Sequence, residues 1–410
     1  MLEELRNLSL HFLTIKNSAY RRYFIRTENL SHRLSVIIGQ RGVGKTTTLV
    51  QSLLDYVEGD LHDPRILYVQ ADHFQLGLTS LYAITEQFQA YGGQYIAIDE
   101  IHKYPDWSKE LKSIYDTFPH LKILASGSSA LEIHRGTHDL TRRAIVYHLF
   151  GLSFREYLEL TQNIDFDSYS IDELCLEHEK ISRKITKILD EKNIKILPLF
   201  EKYLTSGYFP YFHEIKDEAL YMLTLEQNLH TTIDSDLATI YPHLTTASLH
   251  KIKKLLIYIA KSVPFTPNWQ KIMTVLEIGD NRTLKSYFSH LEDACLIRSL
   301  SKATEKFSLL ESPDKVFLNN SNQLFAISSG SPESGTVRET FFLSMIAVRH
   351  QVDLPSHADF LVDDKYLFEI GGKNKSKHQL NQSEKGYLVC DNLEHGSGIK
   401  IPLWLFGFLY

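Results

Sequence analysis

Short apolar runs alternate with helix-like segments in the first third of the chain. The runs LSVII, RILYV, QYIAI and KILA are separated by segments with helical patterns. Runs of this length favour buried strands, and the segments between them favour helices that cover a parallel sheet. We therefore predict an α/β domain with a parallel sheet over residues 1–150.

The pattern then becomes mainly helical. Segments such as FREYLEL and IDELCLEHEKISRKITKILDEK carry apolar residues three and four positions apart, and the sequence GYFP interrupts them. This periodicity predicts a helical lid over residues 151–245.

Residues 246–328 show a third pattern, in which three helical segments precede the short strands IRSLSK and KVFLNN. Three helices and a two-stranded wing predict a winged helix. Its third helix would present Asn281, Arg282 and Lys285 to DNA at its N-terminal end. The segment could instead contact another protein, because acidic residues also lie on this helix.

Residues 333–410 combine an apolar helix that carries Glu339 with the hairpin ADFLVDDKYLFEIGGK. A two-residue loop would send Asp359 and Glu369 to opposite faces, whereas a three-residue loop, Asp363–Lys365, would pair them directly. Only the paired arrangement would let the two acids share a metal ion. The paired arrangement is typical of nucleases with a D…ExK triad, so we predict an α/β nuclease-like domain here. We expect Asp359 and Glu369 to lie on facing strands, close enough to share a divalent ion, with Glu339 nearby.

The lysines of this region depart from that triad. The triad lysine lies two residues after the glutamate, and Gly371 occupies that position. Lys373 keeps the side parity of Glu369, but its Cα lies about 13 Å away at about 3.3 Å per residue. We therefore expect Lys373, Lys375 and Lys377 to attract DNA by charge, and we expect the domain to cut DNA poorly or not at all.

The sequence GQRGVGKTT lies between the first apolar run and a helical segment, and it fits the pattern GxxxxGK[ST] in its required context. Glycines let backbone N–H groups point at phosphate, and the helix adds its positive N-terminus. Lys45 would reach the β- and γ-phosphates, and Thr46 would ligate Mg²⁺. The predicted ATP-binding residues are Gly39, Gln40, Arg41, Gly42, Val43, Gly44, Lys45, Thr46 and Thr47.

Two acids, Asp99 and Glu100, end a predicted buried strand. Ligands of open α/β sheets bind at the carboxyl ends of strands. Asp99 would hold Mg²⁺ through water together with Thr46, and Glu100 would polarise the attacking water. Such acids can also cap a helix, but the preceding phosphate-binding loop favours the catalytic interpretation.

Composition restricts the remaining possibilities. The chain has 410 residues and a net charge of −6, so contact with nucleic acid requires a local basic patch. Its three cysteines lie far apart, which suggests neither a zinc site nor disulfides. No run reaches the roughly 18 apolar residues of a spanning helix. We expect a cytoplasmic protein with no membrane partner.

Four motifs occur in the order GQRGVGKTTTL, YIAIDEIHKYPDWSKELKSIYD, ILASGSSAL and LTRRAIVYHLFGLSFREYLEL. Together they resemble the prokaryotic AAA+ P-loop ATPases of the "GPRQVGKTT" type. These proteins carry an ATPase domain, a winged-helix segment and a C-terminal PD-(D/E)xK nuclease-like domain of unknown function. The later segment YLTSGYFPYF is similar to their GGYP segment, with Ser206 in place of the first glycine. The resemblance weakens beyond about residue 215.

This resemblance implies roles for three further residues. Ser126 lies where such proteins carry a polar sensor, although a serine here could instead cap the helix starting near Ser129. Arg142 or Arg143 would act in trans as an arginine finger, although both could form surface ion pairs. A finger implies a homo-oligomer with ATP between subunits, for example a hexameric ring.

Two functions are consistent with these patterns. The first is a Mg²⁺-dependent ATP hydrolase that assembles as an oligomer and binds or remodels DNA. The alternative is a nucleotide-dependent protein-interaction switch with a degenerate nuclease-like domain. Stimulation of ATP hydrolysis by DNA would distinguish them.

Overall fold

A computed structural model of the chain describes residues 2–28, 30–73, 79–127, 140, 142–262, 266–302, 313–328, 332–373 and 386–410. The chain forms two compact units. The first comprises Met1–Gly151 and Ser235–His243, and the second comprises Leu152–Asp234 and Leu244–Tyr410. The first unit therefore includes ten residues of the predicted lid, Gly151 and Ser235–His243. The rest of the lid, the predicted winged helix and the C-terminal domain lie in the second unit.

The first unit is a parallel sheet with helices between its strands. Its helices are α1 (Leu2–Ile15), α2 (Tyr23–Thr27), α3 (Lys45–Tyr56), α4 (Leu81–Ala90) and α5 (Trp107–Thr117). Its strands are β1 (Leu34–Ile38), β2 (Ile66–Gln70), β3 (Tyr95–Asp99), β4 (Lys122–Gly127) and β5 (Ile145–His148). All five pair in parallel in the order β2-β3-β4-β1-β5, which confirms the predicted sheet.

This strand order positions the site. All residues of β1 and β3 are buried, as expected for a sheet covered on both faces. Strand β4 lies between them, with Ile38 opposite Gly127 and Ile98 opposite Ala125. The carboxyl ends of β1, β3 and β4 therefore meet at one edge, where ligands of such sheets bind.

The second unit contains the remaining labelled elements. Its helices are α6 (Phe154–Gln162), α7 (Ile171–Asp190), α8 (Ile196–Ser206), α9 (Glu218–Thr231), α10 (Thr246–Ala260), α11 (Trp269–Val275), α12 (Asn281–Asp293), α13 (Ser321–Ile327) and α14 (Ser334–Ile346). Its strands are β6 (Ile297–Leu300), β7 (Lys315–Leu318), β8 (Val352–Asp353), β9 (Phe360–Val362), β10 (Tyr366–Gly371), β11 (Gly386–Cys390) and β12 (Lys400–Pro402). Strands β8 to β12 form a mixed five-stranded sheet.

Three helices, α10 to α12, precede an antiparallel pair of β6 and β7. This is the element order of a winged helix. The assignment as a winged helix stays a prediction, because residues 303–312 between the strands lie outside the described residues.

The chain between α9 and α10 contains an unusual helical segment. Helix α9 runs into a π-helix at Thr232–Leu237, which is followed by a helical turn at Ala238–Ile240. π-helical segments are rare in proteins, and those that are present frequently lie at functional sites. Within the described ranges, no helix combines the length and apolar character that crossing a membrane requires.

Candidate active site

The phosphate-binding loop, residues 39–44, joins the buried strand β1 to α3. Gly42 and Gly44 have φ angles of 86° and 99°, in the left-handed region that glycine adopts without strain. Gly44 directly precedes the first turn of α3. The loop therefore lies against a helix N-terminus, where free N–H groups favour an anion.

Gly39 is required at the start of this loop for a steric reason. A Cβ atom at this position would lie 2.2 Å from the carbonyl oxygen of Leu149. The backbone of Leu149 is fixed in turn, because its N–H donates to the carbonyl of Ile38 at 2.8 Å. The close approach of two backbones therefore excludes any side chain at residue 39.

We expect Gly39→Ala to lower the free energy of unfolding by about 1–3 kcal/mol, the usual range for overpacking a tight site. Urea titration monitored by circular dichroism measures this change. Gly279→Ala is the matched control, because a Cβ there meets nothing within 4 Å. Equal stability of the two variants would show that the loop absorbs the extra atom.

Lys45 is buried, with 6% of its surface exposed. Its Nζ donates to the carbonyl oxygens of Gly39 and Gln40, at 3.0 Å each. Burial lowers the pKa of Lys45, and the carboxylates of Glu100, Asp99 and Asp236 oppose that effect. The amine is therefore held at the loop, and the surrounding carboxylates favour its protonated form.

Asp99 is the centre of a hydrogen-bond network at the end of β3. Its Oδ2 accepts from the hydroxyl groups of Thr46 at 2.6 Å and Tyr68 at 2.7 Å. Its Oδ1 accepts from the hydroxyl of Ser126 and, at 3.2 Å, from the N–H of Glu100. Only 1% of Asp99 is exposed, so these bonds compensate its burial. Three strands and α3 thus fix the orientation of one carboxylate.

Glu100 follows β3 in a left-handed conformation, with φ at 53°. This conformation is uncommon for a residue with a side chain and is often found at active sites. Its Oε2 is buried and has no hydrogen-bond partner in the described part of the chain. It lies 3.5 Å from Lys103 Nζ and 3.8 Å from His102 Nε2. The carboxylate is therefore held by charge and keeps an acceptor for a ligand.

The pKa of Glu100 also suits a catalytic acceptor. Burial raises the pKa of Glu100, but nearby positive charge, chiefly that of Lys45, outweighs burial and sets the pKa below its ordinary value. Burial also lowers the pKa of the neighbouring His102. At neutral pH, Glu100 is therefore an ionised carboxylate that can accept hydrogen bonds from water.

The residues at this edge fit Mg²⁺. The hydroxyl of Thr46 and the carboxylate of Asp99 are hard oxygen donors 2.6 Å apart. Mg²⁺ prefers one or two such protein ligands together with water and phosphate oxygens. Thr46 and Asp99 are therefore the residues that would hold it.

Residues 31–158 match a family described as an AAA domain. The loop, Asp99 and Glu100 all fall inside this match, which supports a P-loop ATPase. This part of the chain is similar to AAA domains. Residues 197–326 match a second family, which is described as a domain of unknown function.

Individual relatives add little about function. An uncharacterized protein of Methanocaldococcus jannaschii is 29% identical over 421 residues, covering 93% of this chain and 85% of that protein. AMPPCP-bound DnaA from Aquifex aeolicus is 14% identical with a TM-score of 0.27, covering 71% of this chain and 91% of that one. PCH-2 of C. elegans is 13% identical with a TM-score of 0.24, covering 40% of this chain and 45% of that one. At these TM-scores neither structure carries an argument.

Ser126 lies inside β4 and is fully buried. Its hydroxyl donates to Asp99 and accepts from the N–H of Glu100 at 3.1 Å. These contacts place Ser126 between the two acids. The alternative helix near Ser129 lies outside the described residues.

The two candidate finger arginines differ in their surroundings. Arg143 makes two bonds to Asp116, with Nε 2.8 Å from Oδ1 and Nη2 3.0 Å from Oδ2. Arg142 is exposed. Arg143 therefore forms a surface ion pair, which was the alternative to an arginine finger. Arg142 is the arginine exposed to solvent.

Two residues of the site carry no signal in the sequence. Tyr68 reaches Asp99 from β2, the strand next to β3. Asp236 is 3% exposed, and its Oδ1 lies 3.3 Å from Nη2 of the loop residue Arg41. No local motif marks Asp236, because it is 195 residues from its partner. Gln40 and Val43 of the loop are buried, and Thr47 is half-buried.

The C-terminal hairpin has the three-residue loop, Asp363–Lys365. Val362 lies opposite Tyr366 and Phe360 opposite Phe368, where the paired ladder ends. Beyond it, the N–H of Asp359 donates to the carbonyl of Phe368 at 3.1 Å, so the regular register does not extend to Asp359 and Glu369. The carboxylate of Asp359 accepts from the N–H of Ile370 at 2.7 Å. The Asp359 carboxylate is therefore engaged in a hydrogen bond with the backbone of β10.

The predicted third acid is occupied elsewhere. The carboxylate of Glu339 accepts from Lys315 Nζ at 2.9 Å. The described residues contain no group of three or more His, Cys, Asp or Glu side chains able to hold a metal ion, so Glu339, Asp359 and Glu369 do not form one.

The residues predicted to contact DNA lie mostly at the surface. Asn281 and Arg282 are exposed in the first turn of α12, and Lys285 is half-buried one turn later. Lys373 is exposed. Lys375 and Lys377 lie outside the described residues.

Proposed function

We propose that this chain is a Mg²⁺-dependent ATP hydrolase. The observation that carries the proposal is the 2.6 Å hydrogen bond between Thr46 and Asp99, at an edge that also holds Lys45 and Glu100. A cradle of N–H groups, a lysine, a hydroxyl–carboxylate pair and a second carboxylate form the set used in phosphoryl transfer to water.

Each group has a separate chemical task. The loop N–H groups and Lys45 would bind the phosphates, and Glu100 would orient water and accept its proton. Ser126 would act as a positioning residue, because its hydroxyl touches Asp99 and the N–H of Glu100. Mg²⁺, when bound by Thr46 and Asp99, would neutralise phosphate charge.

We also propose that the chain assembles, with Arg142 of one subunit completing the site of another. Its exposure supports this assignment, and the bidentate contact of Arg143 with Asp116 argues against Arg143. An arginine supplied in trans stabilises charge on the transferring phosphoryl group.

Subunit mixing tests this assembly. Arg142→Ala and Lys45→Ala should each be inactive alone, and their mixture should regain about a quarter of wild-type turnover if partners pair at random and each site needs both residues. Phosphate release from mixtures shown to co-assemble measures this. A mixture of Arg143→Ala with Lys45→Ala is the control. Absence of recovery in the first mixture would indicate that Arg142 does not act in trans.

For its partner, we propose DNA, contacted by the N-terminal end of α12. Asn281 and Arg282 are exposed there, as base-reading residues of such helices are. The acids at the opposite end are engaged within the chain, with Glu292 accepting from the N–H of Ser299 at 2.9 Å and Asp293 accepting from Ser289 at 3.3 Å. Both acids also lie about 15 Å along α12 from the end that would face DNA, at a rise of 1.5 Å per residue.

We expect duplex DNA to raise the ATPase rate, and we expect added salt to reduce the effect because counterion release drives such binding. Arg282→Ala should weaken the stimulation, whereas Arg183→Ala, an exposed arginine on α7, should not. The assay compares single strands, duplexes and branched junctions. A rate indifferent to every DNA would favour the alternative function, a nucleotide-dependent protein-interaction switch.

For the C-terminal sheet, we propose that it holds DNA and does not cut it. The occupied carboxylates of Glu339 and Asp359 support this proposal. Mg²⁺- or Mn²⁺-dependent cleavage that Asp359→Ala abolishes would refute it.

A further inference from the structure

Asp236 introduces a third carboxylate into the proposed ATP site. It lies in the π-helix Thr232–Leu237, and it belongs to the same compact unit as the phosphate-binding loop. Its side chain is almost fully buried, and its Oδ1 is 3.3 Å from Nη2 of Arg41. Arg41 is the third residue of the loop that begins at Gly39, so its guanidinium belongs to the phosphate-binding segment.

The contact between Asp236 and Arg41 is incomplete. Arginine and carboxylate groups pair best through two parallel bonds of about 2.7–2.9 Å. Here one longer contact is formed, while Oδ2 of Asp236 and Nε of Arg41 are buried without a hydrogen-bond partner among the described residues. Buried groups left in this state are costly. A ligand that brings oxygen acceptors to Arg41 would satisfy its free donor.

The charge balance of the site indicates which ligand that is. Two loop cations, Lys45 and Arg41, are near three carboxylates, those of Asp99, Glu100 and Asp236. A third cation, Lys103, lies 3.5 Å from Glu100, and it is paired with Asp72 at 2.6 Å. Asp99 and Glu100 have tasks in the proposed hydrolysis, whereas Asp236 has none. Its charge nevertheless acts on Lys45. Burial lowers the pKa of Lys45, and Asp236 is among the acids whose charge opposes that effect. A polyphosphate in the loop would repel Asp236 and attract both loop cations.

We propose that Asp236 is a nucleotide-responsive counter-ion, which holds Arg41 until the terminal phosphate of a nucleoside triphosphate replaces it. Arg41 then turns to the phosphate, and residues 235–243 lose their ionic tether to the loop. The switch rests on the proposed function, because it requires ATP at this loop. The same π-helix contains the point at which the chain passes from one compact unit to the other. The released segment is therefore covalently continuous with α9.

Two measurements test the switch. Asp236→Asn removes the competing charge and keeps the shape, so we expect ATP to bind about tenfold more tightly than to the wild type. Asp234→Asn is the matched control in the same π-helix, because that carboxylate is half exposed and pairs with Lys253. The second measurement is hydrogen exchange of residues 235–243 in the wild type, which should become faster when the non-hydrolysable analogue AMPPNP is added.

The outcomes separate this switch from the proposed function. A wild type that binds no nucleotide overturns both. A wild type that binds ATP, with Asp236→Asn binding equally or more weakly, overturns the switch alone. Exchange of residues 235–243 that is unchanged or slowed by AMPPNP also overturns it, and this result does not depend on whether the variant folds.

Discussion

Glu100→Gln is expected to bind ATP at least as tightly as the wild type does and to hydrolyse it about 10²–10⁴ times more slowly, the usual loss when a general base is removed. Glutamine keeps the size and shape of the side chain but cannot take a proton from water. The metal-binding pair is untouched, because Thr46 and Asp99 bond directly to each other. Phosphate release under saturating ATP measures turnover, and titration with AMPPNP measures binding.

The matched control for this variant is Glu86→Gln, an exposed glutamate on α4 that should leave turnover unchanged. A Glu100→Gln variant that hydrolyses ATP at the wild-type rate would assign the base to another residue. Loss of binding together with turnover would instead indicate that Glu100 holds the loop together, through its charge on Lys45.

Lys45→Ala is expected to weaken ATP binding about 10–100-fold, since hydrogen bonds to charged groups contribute about 1.5–3 kcal/mol. The variant removes the positive charge at the loop and the two bonds from Nζ to Gly39 and Gln40. Turnover should fall further, because the lysine also stabilises charge on the transferring phosphate. Calorimetric titration with ADP and AMPPNP measures the affinities.

Lys109→Ala supplies the control, because that lysine is 72% exposed and its ion pair with the similarly exposed Asp106 is worth little. Circular dichroism of Lys45→Ala separates loss of binding from loss of folding. Unchanged ATP affinity in a folded Lys45→Ala protein would contradict the placement of nucleotide at this loop.

Local sequence determined the first unit to a large extent. A phosphate-binding loop is a contiguous motif, in which Gly42 and Gly44 permit positive φ angles and a helix follows at once. Asp99 and Glu100 follow a short apolar run whose length favours a buried strand, and the structure has that strand at Tyr95–Asp99. Such features depend on neighbours in the chain, so their pattern alone predicts the parallel sheet and the acids at its edge.

Tertiary structure decided which side chains meet at that edge. The bonds from Tyr68 and Ser126 to Asp99 require the strand order β2-β3-β4, which no single segment encodes. Likewise, Arg143 differs from its neighbour Arg142 because it contacts Asp116, which is 27 residues away in the chain. Adjacent arginines look alike in sequence and differ only in what the fold places beside them.

The register of the hairpin and the return of a distant segment to the first unit also cannot be predicted from the local sequence pattern. The sequence DDK is compatible with two loops, and the pairing of β9 with β10 selects the three-residue one, with Val362 opposite Tyr366. Asp236 reaches Arg41 only because residues 235–243 fold back onto the first unit. Apolar periodicity reports which face of an element is buried, but it carries no information on which distant charge will be buried beside it.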